Sequence, residues 1–204
     1  MPFYPVFLDL RGRACVVVGN GALAEEKVTG LLHAGAAVTV IAPELSPELE
    51  NLAEEGRIAV RQRTYLPGDL KGAVLGIVCF GSSQEPETVG AIWREARESG
   101  ILINTIDDPP HCDFIAPSIV RRGDLAVAIS TGGNAPALAV RLRQKLEGML
   151  GDEHGRFLAL AGAVRARLAA AVPDFGTRRE RWYRLVDSDV LSLLKQGDEG
   201  TARR

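Results

Sequence analysis

The first half of the chain alternates short apolar runs with stretches of helical periodicity. Residues 14–19 form a valine-rich run without a polar side chain, which is typical of a parallel strand buried on both faces. Further strand patterns lie at 37–42, 58–63, 73–80 and 101–106, and helical patterns lie at 22–34, from Ser46 onward and at 84–99. Strands and helices that alternate at this spacing predict an α/β fold with a Rossmann-like, doubly wound parallel sheet.

The pattern changes after Asp107. Residues 114–120 and 125–130 flank a short turn and predict an antiparallel hairpin. Asn134 is the expected N-cap of a helix over about 136–150. The sequence therefore adds a hairpin and a helix to the parallel sheet.

The last part of the chain is helical in pattern. Only helical periodicity follows residue 155, and breaks are expected near Pro173 and Asp187. The polar residues from Gly197 onward predict a frayed end. We therefore expect a helical region that ends the chain.

Composition and charge are those of an ordinary globular protein. Hydrophobic residues make up 46% and charged residues 25% of the 204 positions, and the formal net charge is −2. Such a chain has no overall attraction to nucleic acid or to a membrane surface, and no run approaches the roughly 18 apolar residues that span a bilayer. The first residues do not have the pattern of a signal peptide, and the three scattered cysteines do not form a disulfide framework. We therefore expect a cytoplasmic protein.

A glycine turn follows the first predicted strand directly. In the pattern Gly19-x-Gly21-x-x-Ala24, the first glycine permits a tight turn, the second lets the backbone approach a pyrophosphate, and the small alanine allows close packing of the helix. The helix that begins there offers unpaired N–H groups and a partial positive charge to phosphates. The turn therefore predicts a dinucleotide site.

The end of the second strand favours NAD over NADP. The acidic residue that usually binds the ribose would fall near Ile41 or Ala42, and neither can do so. Glu44 could reach the ribose only if the loop curls back. Because this loop contains no arginine or lysine, we expect no site for a 2′-phosphate.

Two adjacent carboxylates follow the fifth predicted strand. Asp107 and Asp108 lie where ligands of open α/β sheets bind, and a carboxylate there can move protons during a redox step. Either residue could instead cap the following turn. His111 and Cys112 come next, but one adjacent pair without a second pair at ligand spacing favours a structural role over a metal site.

Arginines are concentrated in the second half of the chain. Residues 156–184 contain seven arginines and no lysine against Asp174 and Glu180. Arginine suits bidentate recognition of carboxylates or phosphates. This stretch is either a solvated helix face or a basic surface that faces an acidic substrate.

Several segments, taken in order, resemble a known family. They are YPVFLDLRGR at 4–13, the glycine turn, VTVIAPE at 38–44, NTIDD at 104–108, CDFIAP at 112–117 and AISTGGNAP at 128–136. Together they resemble the precorrin-2 dehydrogenases of sirohaem synthesis, a group that includes dehydrogenase–ferrochelatases and the N-terminal half of fused sirohaem synthases. The resemblance covers residues 2–150 strongly and the helical remainder loosely.

The resemblance implies an NAD-dependent oxidation of precorrin-2 to sirohydrochlorin, followed in some members by insertion of Fe²⁺ to give sirohaem. It implies a homodimer and divides the chain into an NAD-binding domain (1–112), a dimerisation region (113–150) and a helical C-terminal domain (151–204). It assigns catalysis to Asp107. We expect no metal site. The cofactor contacts that it implies are Gly19, Asn20, Gly21, Ala22, Leu23, Pro43, Glu44 and Gly81. The expected substrate contacts are Arg121, Arg122, Thr131, Gly132, Gly133, Asn134 and Arg141.

The chain departs from the family pattern in two places. Asn20 stands where the family usually has a third glycine, and Asn tolerates unusual backbone angles. Residues 80–84 read Phe-Gly-Ser-Ser-Gln where relatives commonly have Ala-Thr-Asp-Asp or similar, in a loop that borders the cofactor cleft. This second departure leaves open an alternative function, a non-catalytic sensor that binds NAD or a tetrapyrrole.

Overall fold

The computed structural model describes residues 3–203. The chain divides between Ala116 and Pro117 into two compact units, which are described separately below.

The first unit contains a five-stranded parallel sheet. Its strands are β1 (Ala14–Val18), β2 (Ala37–Ile41), β3 (Ile58–Arg61), β4 (Leu75–Val78) and β5 (Leu102–Thr105). They lie in the order β3-β2-β1-β4-β5, with every neighbouring pair parallel. The prediction of a Rossmann-like, doubly wound sheet is confirmed. At the carboxyl edge, Val18 pairs with Ile41 on one side and with Val78 on the other.

Helices cover both faces of this sheet because successive strand residues point to opposite faces. The helices are α1 (Ala22–His33), α2 (Pro47–Glu54) and α3 (Pro86–Ser99). Cys15 and Val17 pack in one core cluster, which also contains buried residues of α1 and α2. Val16 and Val18 pack in a second cluster with the buried side of α3. This two-sided burial explains why β1 contains no polar residue.

The connection from β3 to β4 contains no helix. Its conformation is held by Asp69, which is 5% exposed and accepts hydrogen bonds from Arg61, Arg63 and the Leu66 N–H. The hydrogen bonds from Arg63 hold the pKa of Asp69 well below its usual range, even though burial acts in the opposite direction. Tyr65 donates a hydrogen bond to Glu95 and so joins the same loop to α3.

The second unit combines a hairpin with helices. Strands β6 (Ser118–Arg122) and β7 (Leu125–Ile129) are antiparallel, and Arg122 pairs with Leu125 across the turn. The helices that follow are α4 (Pro136–Met149), α5 (Asp152–Ala171), α6 (Phe175–Val186), α7 (Val190–Gln196) and α8 (Glu199–Ala202). The predicted hairpin and the predicted breaks after α5 and α6 are confirmed. Across residues 3–203, no helix combines the length and apolar character needed to cross a bilayer.

Three local predictions were wrong. The first hairpin strand begins at Ser118 and not at 114, because Phe114 packs against the core of the first unit and its carbonyl accepts a hydrogen bond from Asn104. The N-cap of α4 is Ala135, while the amide of Asn134 turns back to the Thr131 carbonyl. Glu199–Ala202, in the end predicted to be frayed, form the short helix α8, which the Asp198 side chain caps.

A pair of glycines in α5 provides a test of the packing in the second unit. A Cβ at Gly155 would lie 2.8 Å from the Arg122 carbonyl oxygen, whereas a Cβ at Gly162 would have no neighbour within 4 Å. We expect Gly155→Ala to destabilise the fold by about 1–3 kcal/mol through overpacking, and Gly162→Ala to stabilise it by about 0.5–1 kcal/mol. Thermal unfolding checks both changes, and equal melting temperatures for the two variants would contradict this packing.

Candidate cofactor and catalytic site

The candidate site lies at the carboxyl edge of the parallel sheet. The chain runs outward from β1 to β2 and β3 and then returns to β4 on the other side of β1. The strand order therefore reverses between β1 and β4, and such reversals are where ligands of open α/β sheets bind. The glycine turn follows β1 at this point.

Both glycines of the turn adopt conformations that other residues avoid. Gly19 has φ of 123°, and a Cβ there would lie 2.9 Å from the Cβ of Cys79, the residue that follows β4. Gly21 has φ of 77°, but a Cβ there would have no neighbour within 4 Å. Gly19 is thus required by the protein's own packing, while the space beside Gly21 is open.

The first turn of α1 completes an anion-binding arrangement. The first helical hydrogen bond runs from the Glu25 N–H to the Gly21 carbonyl at 3.0 Å. The N–H groups of Ala22 and Leu23 therefore precede the helical hydrogen-bonding pattern, and both residues are exposed. Ala24 is completely buried, as expected for a small residue that lets the helix pack closely on β1. The open space at Gly21 and these amides fit the pyrophosphate of a dinucleotide.

Asn20 links the glycine turn to the loop after β2. Its side-chain oxygen accepts a hydrogen bond of 2.8 Å from the Ser46 N–H. Pro43 and Glu44, the two predicted cofactor contacts in that loop, are both exposed. Ser46 occupies the N-cap position of α2, but its hydroxyl makes no capping hydrogen bond and is buried without a partner among the described residues. Asn20 thus holds in place the loop after β2, which is expected to bind the ribose of the cofactor.

The two adjacent aspartates have different environments. Asp107 is exposed and has φ of 57°, the only positive φ of a non-glycine residue within 3–203. Asp108 is 7% exposed, and its Oδ2 accepts a hydrogen bond of 3.0 Å from the Ser82 N–H. Of the two adjacent carboxylates, only that of Asp107 is accessible, and its role as the proton-transfer group stays a prediction.

The loop after β4 lies against the turn after β5. A Cβ at Gly81 would be 3.3 Å from the Ile106 carbonyl oxygen and 3.9 Å from the Cβ of Asp108. Because this approach leaves little room for a side chain, Gly81 suits its position beside Asp107. Gly81 remains a proposed cofactor contact.

His111 and Cys112 support this region structurally. The His111 ring makes an edge-on contact with Trp93, with 5.6 Å between the ring centroids. The Cys112 sulfur lies within hydrogen-bonding distance of the Thr105 N–H and carbonyl, at 3.3 Å and 3.1 Å. Burial raises the pKa of the Cys112 thiol, and it raises that of Cys79 to about 11, so both thiols stay protonated at neutral pH. No group of three or more potential metal ligands is found among the described residues.

The predicted substrate contacts all lie in the second unit. Arg121 and Arg141 are exposed, whereas Arg122 is half-buried and donates to the carbonyls of Arg121 and Glu147. Thr131 accepts a hydrogen bond from the Ala135 N–H at the start of α4. Gly132 and Gly133 have positive φ, and Asn134 is exposed. Arg122 therefore also has a structural role in the hairpin, and all of these positions remain proposed contacts.

The seven arginines of residues 156–184 fall into two groups. Arg156 donates to the Leu194 carbonyl, and Arg178 donates to the carbonyls of Val172 and Pro173. These two arginines hold helix ends in place and do not form a free basic surface. The remaining five are exposed, namely Arg165, Arg167, Arg179, Arg181 and Arg184.

Two features of this region were missed in the sequence analysis. The hydrogen bond from Ser46 to Asn20 and the one from Ser82 to Asp108 each join residues 26 positions apart. The replacement of a glycine by Asn20 was the one available signal for the first. No local signal identified the second, since Asp108 and Asp107 are identical in type and adjacent.

Three family models match the chain in succession. The first, described as "Putative NAD(P)-binding", matches residues 6–118. The second, "Sirohaem biosynthesis protein central", matches residues 122–149, and the third, "Sirohaem synthase dimerisation region", matches residues 153–204. The prediction of an NAD-binding domain is confirmed.

Curated relatives and a solved structure agree with these matches. The chain is 40% identical over 205 residues to siroheme synthase 1 of Aeromonas salmonicida (strain A449) and 36% identical over 203 residues to siroheme synthase of Chromobacterium violaceum. Each match includes the whole chain but only 43% of the relative's length.

The solved structure of SirC, a precorrin-2 dehydrogenase, superposes with a TM-score of 0.78 at 25% identity and covers 96% of each chain. The resemblance predicted from the sequence is confirmed: the chain belongs to the family of NAD(P)-binding proteins that includes the sirohaem synthases.

Proposed function

We propose that the chain catalyses the NAD⁺-dependent oxidation of precorrin-2 to sirohydrochlorin. The observation that carries this proposal is the exposed Asp107 carboxylate at the same sheet edge as the glycine turn. Val18, Val78 and Thr105 are paired across β1, β4 and β5, so Asp107 follows a strand about 10 Å from β1. The similarity to SirC, a precorrin-2 dehydrogenase, supports this choice of reaction.

The oxidation removes one hydride and one proton from the macrocycle. NAD⁺ held at the glycine turn would supply the hydride acceptor, and the overall change would be precorrin-2 and NAD⁺ to sirohydrochlorin, NADH and a proton. Asp107 accepts the proton on its carboxylate and, because the residue is exposed, passes it to solvent. The backbone amides of Ala22 and Leu23 bind the cofactor's pyrophosphate, and the loop after β2 binds its ribose.

The substrate carries carboxylate side chains, which arginine binds well. We propose that these carboxylates are bound by the exposed Arg121 and Arg141, by Thr131, Gly132, Gly133 and Asn134, and by Arg122, which also supports the hairpin. The exposure of Arg121, Gly133, Asn134 and Arg141 supports this role.

The cofactor preference proposed is NAD⁺ over NADP⁺. Glu44 is exposed in the loop after β2, and the nearby cations Arg61 and Arg63 are paired with Asp69. A 2′-phosphate would therefore meet a carboxylate without a free cation. We expect NADP⁺ to bind about tenfold more weakly than NAD⁺, and Glu44→Gln to narrow the difference. Titration calorimetry with both nucleotides checks this, and equal affinities in the wild-type protein would contradict it.

Insertion of Fe²⁺ into sirohydrochlorin is proposed as a second activity. The observation that favours it is that relatives named siroheme synthase match over the whole chain. Fe²⁺ would be a substrate, and Asp107 could accept the pyrrole protons that the metal displaces. Incubation of sirohydrochlorin with Fe²⁺, compared with a control without protein, tests this activity separately from the dehydrogenase.

We propose that the chain acts as a homodimer. The dimerisation-region match at 153–204 supports this, as do large exposed apolar side chains in the second unit, which are Leu138, Val140, Leu142, Met149, Val164, Phe175, Tyr183 and Val186. The interface then includes residues on both sides of position 151, so it extends beyond the region 113–150 expected from the sequence. The division into an NAD-binding domain (1–112), region 113–150 and a helical domain (151–204) remains our proposal. Light scattering should give a mass near twice the 21.9 kDa of one chain.

The proposed reaction is tested with purified protein, precorrin-2 and NAD⁺ under anaerobic conditions. We expect sirohydrochlorin to form only when both protein and NAD⁺ are present. Tight binding of NAD⁺ or tetrapyrrole without product would instead support a non-catalytic sensor.

A further inference from the structure

We propose that Asp108 is a positioning residue that joins the loop after β4 to the turn carrying Asp107 and thereby holds both in the arrangement that binds cofactor and accepts the proton. The inference rests on the proposed function for the role of Asp107. Its effect on cofactor binding can be measured without any turnover.

The Asp108 carboxylate contacts two separate segments. Oδ2 accepts the hydrogen bond of 3.0 Å from the Ser82 N–H, and Oδ1 lies 3.0 Å from Nδ1 of His111. Ser82 belongs to the loop after β4, whereas His111 belongs to the 3₁₀ helix Pro109–His111 that follows β5. One side chain thus joins two loops at the carboxyl edge of the sheet.

The backbone of Asp108 is held as well. Its N–H donates to the Thr105 carbonyl at 3.3 Å, and its own carbonyl accepts the His111 N–H at 3.0 Å. The Cys112 thiol lies 3.3 Å from the same carbonyl. Because these hydrogen bonds hold the Asp108 backbone in place, its carboxylate is fixed and holds the Ser82 N–H in place in turn.

This anchoring matters because Asp107 has a left-handed backbone. Asp tolerates such a conformation better than most residues, but the conformation is still unfavourable and persists where the surrounding contacts impose it. Asp108 is the next residue and supplies such contacts. Gly81, the residue before Ser82, closely approaches the Ile106 carbonyl of the same turn.

The charge state of Asp108 is consistent with an acceptor role. Burial would raise its pKa, but the hydrogen bond from Ser82 and the nearby His111 ring together outweigh burial and lower the pKa overall. The carboxylate is therefore ionised at neutral pH and can accept the Ser82 N–H.

Asp113 provides a matched control. It also follows β5, its side chain is 19% exposed, and its Oδ2 accepts the Ile103 N–H at 3.1 Å while Oδ1 pairs with Arg97. Neither its hydrogen bonds nor its ion pair joins it to the loop after β4 in the described part of the chain. Replacing Asp113 should therefore perturb the fold without moving the loop after β4.

The experiment compares Asp108→Ala, Asp108→Asn and Asp113→Ala by calorimetric titration with NAD⁺ and by steady-state kinetics with precorrin-2. We expect Asp108→Ala to raise the Kd for NAD⁺ about tenfold or more and to lower kcat, because the Ser82 N–H loses a charged acceptor. Asp108→Asn keeps an acceptor oxygen and should recover most of the affinity. Asp113→Ala should leave the Kd unchanged.

An unchanged Kd in Asp108→Ala, or an equal rise in Asp113→Ala, would overturn the inference. If Asp108→Ala does not fold, the Kd and kcat of Asp108→Asn test the inference. A Kd for Asp108→Asn as weak as that expected for the alanine variant would count against the inference. If the wild-type protein binds NAD⁺ but does not oxidise precorrin-2, the proposed function fails while the Kd comparison still tests the joining of the two loops.

Discussion

Asp107→Asn is expected to lower kcat for precorrin-2 oxidation by about 10²- to 10⁴-fold while leaving the Kd for NAD⁺ nearly unchanged. Asparagine has the same size and tolerates the left-handed backbone at this position, so the variant removes the proton acceptor and little else. Steady-state kinetics give kcat, and calorimetric titration gives the Kd.

Asp187→Asn is a suitable control for the loss of a carboxylate. Asp187 is exposed at the end of α6 and plays no part in the proposed site, so its replacement should change neither quantity. A normal kcat in Asp107→Asn would contradict the assignment of the proton acceptor. A large rise in Kd with a normal kcat would assign Asp107 to cofactor binding instead.

Gly21→Ala is expected to weaken NAD⁺ binding by about one to two orders of magnitude. The new methyl group would occupy the open space beside the turn, where no described atom outside residues 20–22 lies within 4 Å, and φ of 77° would be strained for alanine. Calorimetric titration with NAD⁺ measures the loss. Full affinity in this variant would mean that the pyrophosphate does not bind at this turn.

Variants of two further glycines distinguish an effect on cofactor binding from an effect on stability. Gly56→Ala carries a similar strain, with φ of 68° and no neighbour within 4 Å, but lies beyond α2 at the other end of β3, so it should leave the Kd unchanged. Gly19→Ala adds a contact of 2.9 Å with Cys79 to its backbone strain. We expect it to lose more than about 1 kcal/mol of stability, seen as a lower melting temperature than in Gly21→Ala.

The parallel sheet was predictable from the sequence because buried parallel strands have a purely apolar pattern. β1 is such a strand, and its two faces contribute to two separate core clusters. Strand ends were less predictable. Phe80 is apolar and packs against the core, yet it lies beyond the last paired residue of β4. Phe114 likewise continues the hydrophobic pattern of the hairpin but packs against the first unit.

The part of the candidate site that lies within one short motif was predictable from the sequence. The positions of Gly19, Gly21 and Ala24 follow from a motif of six residues, and each has the conformation or burial that the motif requires. The roles of Asp107 and Asp108 depend on which side chain is buried, and this is decided by Ser82, 26 residues earlier in the chain. Such a pairing arises only from the fold, so the local pattern left both aspartates as alternatives, and only the resemblance to the family selected Asp107.

The most direct test of the proposed reaction is the stoichiometry of the two products. Precorrin-2 is incubated anaerobically with the wild-type protein and NAD⁺, and NADH and sirohydrochlorin are quantified in the same reaction, with Asp107→Asn as the comparison. We predict equal amounts of NADH and sirohydrochlorin, and almost none of either with the variant. Sirohydrochlorin no faster than without protein, or formed without NADH, would contradict an NAD⁺-dependent precorrin-2 dehydrogenase.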